Sequence, residues 1–233
     1  MRGRFALLAL TALATLNVMA IGAATATPNV LQAQTPSAAD LAGQLQKRYA
    51  TIKDFRADFT HQVQGAVLRT LRTTERGEIK VKKPGRVWMK YAPPQKKDFV
   101  ADGTRIYTYV AADRSGTEGP MPTGDDISVA ILFVAGRGDL VKDFRAAMPA
   151  AQPADVWHLT LTPIKRQEDF ATMTLVVDRK TLVLRGLTTV DHKGGTFVFA
   201  FTNIRENVGL KDSDFVFTFP RNTNVTHTGP SRK

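Results

Sequence analysis

The chain of 233 residues contains no cysteine. That excludes disulfide stapling, a thiol nucleophile, thiolate zinc sites and iron–sulfur clusters. It also excludes a lipid-modified N-terminal cysteine. Histidine is scarce, with four residues, His61, His158, His192 and His227. None stands three or four positions from another His, Asp or Glu in a helical stretch, so no metal site is supported and solvent-facing histidines are the expectation. No Gly-x-Ser-x-Gly elbow occurs. Gly136-Arg137-Gly138-Asp139 lacks the Gly-Lys-Ser/Thr ending of a phosphate loop and reads as a helix end. Asp125 and Asp126 are adjacent and do not face each other, so capping explains them better than acid–base work. No catalytic constellation can be assembled, and neither an enzyme nor a cofactor is expected.

Charge of one sign is in short supply. Lys plus Arg number 32 against 21 Asp plus Glu, a formal net charge of +11. Such a balance raises nucleic acid as a partner. The basic residues are scattered, however, and the N-terminus reads as an export signal, which argues against nucleic acid. Met1-Arg2-Gly3-Arg4 precedes an apolar run from Phe5 to about Ala24, broken by Thr11, Thr15 and Asn17. Ala24-Thr25-Ala26 then gives a small-x-small ending. An uncleaved anchor is the rival reading, but the run is only weakly apolar. Cleavage after Ala26 is the expectation. The chain then divides into a signal peptide (1–26), a flexible leader (27–37), a folded domain (38–222) and a polar tail (223–233).

Ser37-Ala38-Ala39-Asp40 opens a helix that runs to about Thr51, with Ser37 or Asp40 as N-cap. From Phe55 the period changes to two. Phe55, Ala57 and Phe59 begin a half-buried strand. Further alternating runs follow at Ile79–Val81, Val87–Tyr91, Phe99–Val100 and Ile106–Val110, with turns at Lys82–Gly85 and Ala101–Thr104. Residues 111–126 read as a turn-rich loop. Ile127, Ala130, Ile131 and Val134 predict an amphipathic helix. Asp139 is expected to cap a second short helix through Phe144. The last third alternates at Trp157–Leu161, Met173–Val177, Leu182–Leu184, Phe197–Phe201 and Phe215–Phe219. The fold class is α+β, mainly antiparallel β: one curled or barrel-like sheet with a few helices. Phe197, Phe199, Phe201, Phe215, Phe217 and Phe219 are expected on one face of two neighbouring strands. Periodicity alone favours a packed core there over a ligand cavity. The same face covered by an apolar helix would also suit an acyl chain.

The order of these motifs resembles the periplasmic outer-membrane lipoprotein carrier (LolA) family. The resemblance rests on Phe55-Arg56-Ala57-Asp58-Phe59-Thr60-His61-Gln62, on Gly77 through Tyr91 with Lys82-Lys83-Pro84, on Pro94 to Tyr109, and on Phe215-Val216-Phe217-Thr218-Phe219-Pro220. It spans roughly residues 38–225. It implies an incomplete, half-open antiparallel β-barrel under a lid of short helices. The apolar cavity between them would be lined by Phe59, Val87, Met89, Tyr91, Ile106, Ile131, Val134, Phe197, Phe199, Phe201, Phe215 and Phe217. It implies a periplasmic monomer that binds the acyl chains of lipid-modified proteins. Such a carrier takes them from an inner-membrane ABC-type release complex to an outer-membrane lipoprotein receptor. A related exported barrel that binds or senses a different lipid is the alternative. Lys83 stands where the family commonly has an Arg that holds the lid shut. Lys lacks the planar fork of donors, so either a looser gate or a merely exposed hairpin residue fits this position.

Overall fold

The computed structural model describes residues 35–65, 72–121, 138–167 and 170–229. The expected helix at 127–134, with Ile131 and Val134, lies outside the described residues, as do the expected signal peptide and most of the expected leader.

Helix α1 (Ala38–Thr51) begins where Ser37 Oγ accepts from the backbone N–H of Asp40 at 3.1 Å. Its apolar stripe, Leu41, Ala42 and Leu45, is buried. Twelve strands follow: β1 (Asp54–Gln64), β2 (Arg72–Lys82), β3 (Arg86–Tyr91), β4 (Lys97–Asp102), β5 (Arg105–Val110), β6 (Ser115–Pro120), β7 (Phe144–Ala147), β8 (Val156–Pro163), β9 (Thr172–Asp178), β10 (Leu184–Val190), β11 (Thr196–Glu206) and β12 (Asn224–His227). They form one sheet in the order β12-β6-β5-β4-β3-β2-β1-β11-β10-β9-β8-β7. Its two ends, β12 and β7, do not pair, so the sheet is open. All pairings are antiparallel except β12 with β6. Among the described residues α1 is the one α-helix; a single 3₁₀ turn spans Asp212–Phe215.

The alternation sets the two faces. Phe55, Ala57 and Phe59 of β1, Ile79 and Val81 of β2, Val87, Met89 and Tyr91 of β3, and Leu159, Leu161, Met173, Leu175 and Val177 of β8 and β9 share one core with the buried stripe of α1. Helix α1 covers the β7–β8 end of that face.

Several sequence expectations are corrected. The loop at 111–126 contains a strand, β6, drawn into the sheet by β5. Residues 139–144 form one turn and then β7, not a helix. Asp139 accepts from the N–H groups of Val141 and Lys142, and Phe144 goes into the core as a strand residue. Residues 224–227, expected in the polar tail, pair in parallel with β6 as β12. Phe215, Phe217 and Phe219 do not form a strand. They follow a crossing of the chain to the opposite face, which Asp54 anchors by accepting from the N–H groups of Val208 and Gly209 at 2.7 and 3.1 Å. Asp212 then pairs with Lys82 at 2.6 Å and Arg86 at 3.1 Å, which seats the segment on the back of β3 and β4.

Candidate functional site

The core face carries a cavity of about 560 Å3 at the end that α1 leaves free. Val87, Met89 and Tyr91 of β3 line it, with Ile79 of β2, Phe99 of β4, Leu187 and Thr189 of β10, and Phe197, Phe199 and Phe201 of β11. Thr108, Tyr109 and Val110 of β5 complete the far side. Strands β5 and β10 are six places apart in the sheet, roughly 29 Å if the sheet were flat. That both border one cavity requires the sheet to curl. Gly77 marks one site of the curl. A Cβ there would collide with the Lys90 carbonyl and the Phe59 ring. The volume falls within the range of small-molecule sites, and the lining is mostly apolar with few polar groups.

The residues expected to line a cavity divide into groups. Val87, Met89, Tyr91, Phe197, Phe199 and Phe201 come together on its wall. Phe59 lies beneath the wall, 2% exposed, with its ring edge-on to Tyr91 and tilted against Phe199. Ile106 is half-buried and packs against the core. Phe215 and Phe217 lie on the opposite face. Phe217 meets Trp88 and Tyr107, which alternate away from the cavity, and Phe219 meets Tyr107. Phe215 is fully buried beside β3 and β4. The expectation that all six phenylalanines share one face therefore holds for Phe197, Phe199 and Phe201 only.

Lys83, in the β2–β3 turn, reaches the C-terminal end of α1. Its Nζ donates to the carbonyl of Tyr49 and lies 4.0 Å from the centre of the Tyr49 ring. Burial lowers its pKa to about 8, partly offset by the charge of Glu206. The contact joins a cation to the negative end of a helix.

The wall also holds a charged cluster that sequence reasoning missed. His61 is 8% exposed and lines the cavity, contrary to the expected solvent-facing position. The ladder explains the placement: His61 pairs with Phe199 on one side and Glu75 on the other. Its Nδ1 lies 3.3 Å from Glu75 Oε2 and 3.4 Å from the Tyr91 hydroxyl. Strand β3 stops at Tyr91, so Lys97 of β4 reaches past it. Its Nζ donates to both Glu75 oxygens, at 2.7 and 2.8 Å, and lies 4.2 Å from the centre of the Tyr91 ring. Burial lowers the pKa of His61, against the opposing pull of Glu75. Burial and Glu75 raise that of Tyr91. The readable signal was phase. His61 is two residues beyond Phe59, and Glu75 is in step with Gly77, Ile79 and Val81.

A sequence model described as "Outer membrane lipoprotein carrier protein LolA" matches residues 50–218. An outer-membrane lipoprotein carrier protein of Chromohalobacter salexigens is 28% identical over 211 residues, covering 91% of this chain and 96% of that protein. One of the same name from Cupriavidus pinatubonensis is 28% identical over 201 residues, covering 84% and 92%. Among solved structures, an uncharacterized conserved protein from Thermus thermophilus aligns with a TM-score of 0.50 at 10% identity, covering 82% of this chain and 99% of that one. That likeness concerns the fold alone.

Proposed function

The chain belongs to the LolA family of outer-membrane lipoprotein carriers, and from that membership we propose that its cavity takes the acyl chains of lipid-modified proteins and shields them between two membranes. The observation that carries this reading is the cavity itself, about 560 Å3 with Met89, Phe197, Phe199 and Leu187 in its wall. Each methylene left in water costs ~0.8 kcal/mol, so a multiply acylated protein does not leave a membrane unaided. Burial in an apolar cavity offsets that cost without covalent chemistry.

In this reading the protein works in the periplasm as a monomer, after removal of residues 1–26. It receives cargo from an ATP-driven release complex of the inner membrane and yields it to an outer-membrane receptor. Release requires that closed and open states differ by only a few kcal/mol. Lys83 is the residue we assign to that balance, because it ties the β2–β3 turn to the end of α1 through one side chain.

The test is release from spheroplasts that carry a labelled lipoprotein in the inner membrane. Added protein is expected to bring the acylated cargo into the supernatant as a one-to-one complex. Cargo that stays on the membrane, with the release complex active, contradicts the proposal.

A further inference from the structure

His61, Lys97 and Asp98 border the cavity. The Asp98 carboxylate accepts from Trp88 Nε1 at 2.8 Å. His61 and Lys97 both meet the buried Glu75 carboxylate. Both Glu75 oxygens are engaged by Lys97. Nδ1 of His61 faces Glu75 and the Tyr91 hydroxyl. Nε2 is different. Among the described residues it is the one buried side-chain nitrogen or oxygen without a hydrogen-bond partner. Buried polar atoms are nearly always paired, so an orphan in a cavity wall points to a missing partner.

The chemistry of the pair selects that partner. The carboxylate beside Nδ1 can only accept and the Tyr91 hydroxyl can accept as well, so a ring proton on Nδ1 serves both contacts. Burial favours the neutral ring over the charged one. Nε2 is then a lone pair, and only a donor satisfies it. The imidazole is stacked on Phe199 at 4.1 Å, and Phe199 lines the cavity too. His61 and Phe199 thus stand side by side in the cavity wall, and a ligand seated against Phe199 lies beside the imidazole.

We propose that Nε2 of His61 is the polar anchor of the cavity, accepting a hydrogen bond from an N–H or O–H carried at the head of a bound acyl chain. An acyl chain joined through a secondary amide, or one bearing a hydroxyl near its head, supplies such a donor. A chain joined only by esters does not. Glu75 is the positioning residue, since it sets the tautomer. This inference rests on the acyl-cavity reading above.

The test compares three probes with one chain length, titrated against the purified protein: a secondary N-acyl amide, its N-methyl derivative, and the N-methyl derivative with a 3-hydroxyl. The wild type is expected to bind the secondary amide about tenfold more tightly than the N-methyl amide, the worth of one hydrogen bond. In His61→Phe that ratio falls to one. In His61→Gln, which keeps an acceptor, it stays above one. Recovery of affinity by the 3-hydroxyl probe identifies a hydroxyl as a sufficient source of the donor; no recovery identifies the amide. A ratio of one in the wild type, or the same ratio in His61→Phe, overturns the anchor alone. No binding of any probe overturns the acyl cavity as well.

Discussion

The imidazole of His61 lies flat on the ring of Phe199, with centroids 4.1 Å apart and 3° between the planes. The two are direct partners across β1 and β11. The stack places a titratable ring in an apolar wall, faced by Glu75 of β2, Tyr91 of β3 and Lys97 of β4. Desolvation is the largest influence and lowers the pKa from its ordinary 6.5, while Glu75 pulls the other way. Unfolded, His61 takes up its proton near pH 6.5; folded, it does so only at lower pH. Its contribution to stability is therefore complete above pH 6.5, is lost as pH falls toward the folded value, and is constant below that. Urea midpoints at about pH 7.5, 6.5 and 5.5 are expected to fall more steeply in the wild type than in His61→Gln. Parallel curves contradict this placement.

The two faces of the sheet make a paired prediction. Phe217 packs edge-on against Trp88 and Phe219 on the face away from the cavity. Phe217→Ala is expected to cost about 2 kcal/mol of stability, less than a fully buried Phe, and to leave acyl affinity unchanged. Phe199→Ala, on the cavity wall, is expected to weaken acyl binding about fivefold through lost apolar contact. Chemical denaturation and ligand titration on both variants check this. A binding defect in Phe217→Ala would contradict the assignment of faces.

Thr189 borders the cavity from β10 and is half-buried. Thr189→Trp places an indole in the open volume rather than in the close-packed core. Acyl binding is expected to be lost while a cooperative thermal transition is kept. Retained binding in a folded variant means that the chains sit elsewhere.

Lys83 touches α1 by a hydrogen bond and by its place over the Tyr49 ring. Lys83→Ala is expected to cost about 1 kcal/mol. The loss concentrates in α1, so hydrogen exchange should quicken in residues 45–51 and stay unchanged in β8 and β9. Uniform quickening would show that the side chain has no special hold on the helix. Lys83→Arg should retain the slow exchange, because guanidinium keeps both the donor and the cation.

Much of the sheet was legible because period two survives burial. The strands around Phe55–Phe59, Val87–Tyr91 and Met173–Val177, and the turns at Gly85 and Gly103, follow from alternation and from the positive φ those glycines adopt. Helix α1 followed from its cap and stripe. The failures share a cause: they depend on distant partners. β6 carries Gly116, Gly119 and Pro120 and looks like a loop. Gly116 is required because a Cβ would meet the ring of Phe219, about a hundred residues on in the chain. The trio from Phe215 to Phe219 alternates like a strand. Its face is set by the crossing that Asp54 anchors after β11, which no local pattern reports. His61 was misplaced for a different reason. Its polarity suggested the surface, while its phase with Phe59 pointed inward, and phase prevailed because Glu75 and Tyr91 answer its Nδ1.

The most direct measurement is a titration of the purified protein with a triacylated lipopeptide and with the same peptide lacking acyl chains, each displacing an environment-sensitive apolar dye. Displacement by the acylated peptide alone is expected, abolished by Thr189→Trp and preserved in Phe217→Ala. No dye binding, or equal displacement by both peptides, would contradict an acyl cavity between β5 and β10.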